Sequence, residues 1–306
     1  MPFKLIFMGT PMFSVPILKL LNSTKHEIIA VYTQPPKKKS RGQKIEESPV
    51  HLESTKLNIP VRYPESLDND KELDFIKNSG TQVVIVSAYG QIIPKKILDI
   101  PNIIFLNIHA SLLPKWRGAA PIQRSIIEMD KETGISIMKI VPKLDAGPYM
   151  LQEKFKIEEK DNYSTVSNKL SILGAKLINE SLNLLSKGEY KFIPQNESKK
   201  TYAKKVDKKE SEIKWNVPAK NLIAKINGLN PFPGVWFKHK NIRLKIIQAV
   251  ETDKSGKEGE ILDDKLTIAC SRNSIKIILI QKEGKKILSV KDFLAGYKIK
   301  KGDILS

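Results

Sequence analysis

The stretch Ile103 to Pro114, I-I-F-L-N-I-H-A-S-L-L-P, carries an unbroken apolar run into a polar loop. Apolar runs of this kind are typical of strands that are buried on both faces of a parallel sheet. Every second side chain of a strand points to the same side, so Asn107, His109 and Ser111 are predicted to share one face. Ligands bind outside the carboxyl ends of the strands in open α/β sheets, and we expect these polar side chains there. The alternative is a strand end at which the same residues only satisfy loop backbone.

The first two-thirds of the chain alternate between strand-like and helix-like patterns, which favours a doubly wound α/β sheet. Strands are predicted at 4–8, 28–33, 83–87, 103–108 and 135–141, and helices at 13–21, 50–57, 121–129 and 164–186. After the first strand, the turn Gly9-Thr10-Pro11 offers one glycine. A dinucleotide-binding turn needs several glycines so that its backbone can approach a pyrophosphate. The sequence therefore predicts a Rossmann-like sheet that does not bind NAD.

The apolar pattern stops near residue 195, and lysines dominate the stretch that follows. These lysines are Lys199, Lys200, Lys204, Lys205, Lys208 and Lys209. Beyond them, a helix is predicted at 219–227 and short strands at 235–237, 242–249, 259–262, 266–270 and 275–280. Several short strands separated by turn residues are typical of a small antiparallel barrel. We therefore expect one domain at 1–195, a basic linker at 196–210 and a second domain at 211–306.

Composition narrows the class of protein. A chain of 306 residues favours two domains. The net charge of +19 favours a polyanionic partner such as nucleic acid, although a lysine-rich genome would give the same balance. The single cysteine, Cys270, excludes an internal disulfide framework, fits a reducing compartment and has no histidine nearby in sequence to activate it. No secretory signal or membrane-spanning stretch is visible, so we expect a cytoplasmic protein that does not contact a membrane.

The string from Asn107 to Gln123, N-I-H-A-S-L-L-P-K-W-R-G-A-A-P-I-Q, resembles the signature of the folate-dependent formyltransferases. Within that group it is most similar to the methionyl-tRNA formyltransferases, as are Trp116 to Pro121 and the segment from Thr201 to Trp215. The family uses an Asn, a His two residues later and an Asp in an L-D-x-G turn, which reads Leu144-Asp145-Ala146-Gly147 in this chain. The resemblance implies that Asn107, His109 and Asp145 are the catalytic residues.

The same resemblance implies an activity and its partners. The family transfers the formyl group of 10-formyltetrahydrofolate to the amino group of methionine on initiator tRNA, for translation initiation, with a Rossmann-like catalytic domain and an OB-like carboxyl-terminal domain. It requires neither metal nor NAD, and we expect a monomer. The residues expected to line the folate pocket are Ser111, Leu112, Leu113, Pro114, Ser87, Tyr89 and Gly90. Those expected to bind tRNA are Lys39, Arg41 and Lys44 in a basic loop, and Lys204 and Lys205 in the linker. Apart from the resemblance, the basic loop would be interpreted as a solvated charged loop.

The three candidate side chains suit formyl transfer chemically. An amine that attacks a formamide-like carbon forms a tetrahedral intermediate with an alkoxide oxygen, which needs fixed hydrogen-bond donors. Asn107 offers an amide NH₂ and His109 a ring N–H. Asp145 is the candidate to move a proton from the attacking amine to the departing folate nitrogen. No acyl-enzyme is required.

Two other functions remain open from the sequence. A formyltransferase with a different amine substrate, glycinamide ribonucleotide or an amino sugar nucleotide, would use the same chemistry. The first type ends after the catalytic domain, and the second carries a much larger extra domain than this chain can hold. A non-catalytic RNA-binding protein on the same fold would be expected to lack Asn107, His109 or Asp145, and all three are present.

Overall fold

The structure, a computed structural model, describes residues 1–39 and 44–305. The chain forms two compact units. The first comprises Met1–Gly118, Thr133–Lys156 and Ser167–Tyr202, and the second comprises Ala119–Glu132, Ile157–Val166 and Ala203–Ser306. Two short segments from the predicted catalytic domain thus belong to the second unit by their contacts. Within the described part of the chain, no helix is both long and apolar enough to cross a membrane.

Sixteen short or medium strands are formed by the described residues. Up to residue 156 these are β1 (Lys4–Gly9), β2 (Glu27–Tyr32), β3 (Lys37–Lys39), β4 (Lys44–Glu46), β5 (Val61–Arg62), β6 (Val83–Ser87), β7 (Ile104–His109), β8 (Arg117–Gly118), β9 (Glu132–Lys139) and β10 (Tyr149–Lys156). The later ones are β11 (Tyr202–Ala203), β12 (Val235–His239), β13 (Ile242–Thr252), β14 (Thr267–Ala269), β15 (Ser274–Lys282) and β16 (Ile287–Ser289).

Among the described residues, seven α-helices lie between these strands in the sequence, and an eighth follows the last strand. They are α1 (Val15–Asn22), α2 (Pro49–Lys56), α3 (Asp70–Asn78), α4 (Lys95–Leu98), α5 (Pro121–Ile127), α6 (Tyr163–Lys187), α7 (Ala219–Leu229) and α8 (Val290–Gly296). Short 3₁₀ turns occur at Met12–Ser14, Glu197–Lys199 and Lys208–Ser211. Two of these turns lie in or beside the segment predicted as a linker.

The first unit is built on a seven-stranded sheet with the order β10-β9-β7-β6-β1-β2-β5. The five strands from β7 to β5 pair in parallel, whereas β9 runs antiparallel to β7. The central strands are buried; Leu5, Ile6 and Phe7 of β1, for example, are fully inaccessible to solvent. The predicted Rossmann-like α/β sheet is therefore confirmed. Strand β10 was not predicted, because Glu153, Lys154 and Lys156 interrupt the apolar pattern that marks an inner strand.

The second unit contains an antiparallel sheet with the order β12-β13-β15-β14, and β16 pairs with β15. Its inward-facing residues form one apolar core with α7, including Leu222, Phe237, Ile246 and Ile277. The predicted small antiparallel β domain is confirmed in strand direction and order of elements. The stretch predicted as a strand at 259–262 instead makes single bridges at Glu260 and Ile261.

Candidate active site

The candidate site begins at the carboxyl end of β7, where Asn107 and His109 occupy the same face of the strand. Asn107 pairs with Val86 of β6 on one side and with Met138 of β9 on the other. His109 is buried, and Asn107 is half-buried. The backbone at Asn107 is therefore held by a strand on each side, and the backbone at His109 pairs with Ser136 of β9.

Asp145 lies in the turn between β9 and β10 and reaches the same place. Its Oδ2 atom is 3.7 Å from Nδ1 of His109 and accepts a 2.8 Å hydrogen bond from the backbone N–H of Gly118. The distance to His109 is an ion-pair distance, longer than a hydrogen bond. The structure thus brings together the imidazole and the carboxylate that were predicted from segments far apart in the chain.

The tautomer of His109 follows from its second contact. Nε2 lies 2.9 Å from the backbone carbonyl oxygen of Trp116. A carbonyl oxygen only accepts, so Nε2 carries a hydrogen and donates it. Nδ1 is then the ring nitrogen that faces Asp145. The ring nitrogen available to a reacting group is therefore Nδ1.

The backbone of the Asp145 turn is fixed by hydrogen bonds from a side chain. Nε2 of Gln195 donates to the carbonyl oxygens of Asp145 (2.8 Å) and Gly147 (2.7 Å). Asp145 has a φ of 44°, a left-handed conformation that non-glycine residues adopt rarely. A Cβ atom on Gly147 would collide with the carbonyl oxygen of Lys139. This collision is the physical reason for the glycine that ends the L-D-x-G turn.

Ser111 does not continue the face shared by Asn107 and His109, because β7 ends at His109. Its hydroxyl donates to the carbonyl oxygen of Lys115 (2.6 Å), and its own carbonyl accepts from Ser136 Oγ (2.6 Å). The hydroxyl therefore hydrogen-bonds to the backbone of its own loop, as in the alternative interpretation of this strand end. Next to it, Leu112 and Pro114 are partly exposed, whereas Leu113 is buried.

The loop after β6 exposes two small residues and buries the side chains that were predicted to line a pocket. Ser87 is buried, and its carbonyl oxygen accepts a 2.6 Å hydrogen bond from Ser14. The Tyr89 side chain lies in the apolar core, where burial raises the pKa of its hydroxyl. Ala88 and Gly90 are exposed. A ligand at this strand end would therefore meet Ala88 and Gly90, not the side chains of Ser87 and Tyr89.

The predicted tRNA-binding residues fall into two places. Lys39 and Lys44 pair across the β3–β4 hairpin, and Arg41 lies outside the described residues. Lys204 and Lys205 are exposed. Their carbonyl oxygens accept hydrogen bonds from the Arg124 guanidinium, which is itself paired with Glu210. The backbone that carries these two lysines is thereby fixed.

A polar cluster around Arg117 was not predicted from the sequence. This guanidinium is fully buried and donates to Gln195 (2.9 Å) and to Glu197 (2.6 Å). Glu197 also accepts from Lys143 and Lys200, both at 3.2 Å. The Arg117 guanidinium first, then the two lysines, lower the pKa of Glu197 to about 2. Gln195 and Glu197 gave no signal of their own because they lie among lysines in a stretch without apolar periodicity.

Burial raises the pKa of the Cys270 thiol to about 11, so this thiol stays protonated at neutral pH. In the part of the chain that the structure describes, no three His, Cys, Asp or Glu side chains are grouped to hold a metal ion.

The sequence matches known families and known proteins over most of its length. A family model described as formyl transferase matches residues 3–182, and one described as formyl transferase, C-terminal domain, matches residues 205–298. The methionyl-tRNA formyltransferase of Pelagibacter ubique is 50% identical over 301 residues, which cover 98% of this chain and 97% of the relative. That of Parvibaculum lavamentivorans is 42% identical over 306 residues, with 98% and 99% covered.

Solved structures share the fold at low identity. HypX from Aquifex aeolicus in complex with tetrahydrofolic acid has a TM-score of 0.69 at 17% identity; the match covers 100% of this chain and 51% of HypX. The sugar 3N-formyl transferase WlaRD, solved with dTDP and 5-N-formyl-THF, has a TM-score of 0.67 at 18% identity, with 94% and 100% covered. At this level of identity the likeness concerns the fold alone.

Proposed function

The chain belongs to the formyl transferase family, and we propose that it transfers the formyl group of 10-formyltetrahydrofolate to the amino group of methionine on initiator methionyl-tRNA. The observation that carries the proposal is the pairing of Asp145 with His109 beside Asn107, at the carboxyl end of β7. The proposal is also supported by relatives named for this reaction, which are similar to this chain over nearly its full length. The product, N-formylmethionyl-tRNA, serves translation initiation.

Each of the three side chains has its own role in the reaction. The methionine nitrogen attacks the formyl carbon, and the carbonyl oxygen becomes an alkoxide that accepts hydrogen bonds from the Asn107 amide and from the Nδ1 side of a protonated His109. Asp145 takes the proton that the attacking amine must lose and returns it to the folate nitrogen as the carbon–nitrogen bond to folate breaks. Positioned donors of this kind each contribute on the order of 10²–10³ in rate.

The residues at the two neighbouring strand ends suit a flat folate ring. The partly exposed Leu112 and Pro114 supply an apolar wall, and the exposed Gly90 supplies backbone hydrogen-bonding groups. A ligand pocket typically combines such apolar walls with a few oriented polar groups. In this assignment, Ser87, Tyr89, Ser111 and Leu113 shape the pocket from behind, since their side chains are buried.

One assay tests the activity directly. The protein is incubated with 10-formyltetrahydrofolate and charged initiator tRNA, and formylmethionine is measured after deacylation. Elongator methionyl-tRNA, glycinamide ribonucleotide and a dTDP-linked amino sugar serve as competing substrates. We expect formylation of the initiator tRNA in strong preference to the others. Preferred formylation of either small amine would replace the proposed substrate.

Binding of tRNA is expected to depend steeply on salt. The net charge of +19 and the basic segments around Arg41 and Lys204 support contacts to phosphates. Each neutralised phosphate adds a slope of about −0.7 to −0.9 to the plot of log affinity against log salt. Arg41→Glu and Lys204→Glu should each weaken binding and flatten this slope by roughly one contact. The matched control is Lys77→Glu, an exposed lysine of α3.

Measurement of tRNA affinity by filter binding between low and physiological salt decides this prediction. A salt-independent affinity, or equal effects of all three charge reversals, would contradict it. We further propose that the protein is a monomer that works in the cytoplasm with its tRNA substrate. Light scattering in solution tests the monomer.

A further inference from the structure

Arg117 is costly to bury. Its side chain is fully inaccessible to solvent, and among the described residues its Nη1 atom has no hydrogen-bond partner. Moving a charge out of water is unfavourable, and one ion pair offsets this only in part. Glu197, the partner, is itself 47% exposed. A buried apolar side chain would stabilise the fold at less cost, so the retained guanidinium requires another explanation.

The contact between Arg117 and Gln195 fixes which way the Gln195 amide points. Nε of Arg117 only donates, so the atom of Gln195 at 2.9 Å is the amide oxygen. The amide nitrogen of Gln195 then faces away from Arg117 and donates to the carbonyl oxygens of Asp145 and Gly147. With the amide reversed, an oxygen would face two carbonyl oxygens. Arg117 thus selects the amide orientation that holds the turn.

The segment that contains Gln195 and Glu197 is hydrogen-bonded to other parts of the chain at both of its ends. Ile193 makes a two-bond antiparallel bridge with Tyr149, just after the Asp145 turn. Thr201 donates its N–H to Pro114 and accepts the N–H of Arg117, while its hydroxyl accepts the N–H of Trp116. We call residues 193–201 the clasp. It is hydrogen-bonded both to the loop that contacts the candidate catalytic pair His109 and Asp145 and to the start of the strand that follows the Asp145 turn.

The positions of His109 and Asp145 depend on backbone groups in the loop that the clasp binds. The carbonyl of Trp116 orients the His109 ring, and the N–H of Gly118 binds the Asp145 carboxylate. Asp145 has a positive φ, which persists only where the surroundings over-determine it. Two hydrogen bonds from one side chain, Gln195, act directly on the backbone of this turn.

We infer that Arg117 and Gln195 are positioning residues that hold Asp145 at its working distance from His109, with the clasp as their support. The inference rests on the proposed function, which makes Asp145 the proton carrier. A displacement of about 1 Å at a reacting group lowers the rate by on the order of 10². The contribution of Gln195 is therefore to turnover and not to substrate binding.

The test uses Gln195→Met, which keeps the side-chain length and removes both hydrogen bonds to the turn. We expect kcat to fall by roughly 10-fold to 100-fold while KM for folate and for tRNA stays within about twofold. Arg117→Lys, which keeps the charge but loses the fork geometry, should lower kcat in the same direction. Gln281→Met is the matched control, because it makes the same change in a glutamine whose amide donates to a different loop carbonyl, that of Lys285, and its kcat should equal that of the wild type.

A double-mutant cycle separates positioning from a general loss of structure. In an Asp145→Asn background, Gln195→Met should lower kcat by no more than about twofold, since its effect passes through the missing carboxylate. Additive losses, or an unchanged kcat in Gln195→Met alone, would overturn the inference. If Asp145→Asn alone keeps full activity, the proposed role of Asp145 fails instead, which the single variant shows separately. Circular dichroism confirms that each variant is folded.

Discussion

Asp145→Asn is expected to lower the turnover number for methionyl-tRNA formylation by at least about a hundredfold, with the fold intact. Proton transfer by a positioned side chain contributes on the order of 10²–10⁴ in rate, and an amide cannot carry the proton. Asn keeps an oxygen that accepts the N–H of Gly118, so the turn retains its hydrogen bond. Steady-state kinetics with saturating folate and tRNA measure the loss.

The control for this variant is Asp74→Asn, an exposed aspartate on α3. It makes the same chemical change at a surface remote in sequence from the turn, and its kcat should equal that of the wild type. A thermal unfolding curve should be nearly the same for both variants. Full activity of Asp145→Asn would remove Asp145 from the mechanism.

Asn107→Ala is expected to lower kcat by about 10²–10³, the usual effect of removing one donor to a developing oxyanion. KM for the folate should change little, because the donor acts where charge appears in the transition state. Asn107→Asp is the sharper variant, since it keeps the shape and replaces the donor by an acceptor. Its kcat should be no higher than that of Asn107→Ala.

The outcome is decided by kinetics together with circular dichroism, because Asn107 lies on an inner strand of the sheet. If Asn107→Asp were as active as the wild type, the oxygen of the intermediate would have to be stabilised elsewhere. Loss of folding in both variants would show up in the dichroism and would be separable from a chemical effect by comparing specific activity per folded molecule.

The strand β7 and the shared face of its polar residues were predictable because both depend only on the local sequence. An apolar run sets the buried strand, and the two-residue period sets the shared face of Asn107 and His109. The same rule failed at Ser111, because a periodicity argument does not say where the strand ends. The strand stops at His109, and the following backbone turns to give Ser111 a partner in its own loop.

Asp145 was predictable only through the resemblance. A lone aspartate in a turn has no local feature that points to a histidine far away in sequence. The proximity of the two is set by the antiparallel pairing of β9 with β7, and the sequence patterns predicted the strands without their partners. The Gln195 contacts were still less accessible, because they use a side-chain amide in a stretch whose composition indicated only a solvated linker.

The two outermost strands of the seven-stranded sheet have a consequence for behaviour at high concentration. Unpaired backbone at a sheet edge is a template for strand addition by other molecules, and charged side chains or very short strands oppose it. One edge strand, β5, has two residues, and the other, β10, carries Glu153, Lys154 and Lys156. At the start of β10, the bridge from Ile193 already occupies the backbone of Tyr149. The sheet is therefore built to resist edge-to-edge aggregation.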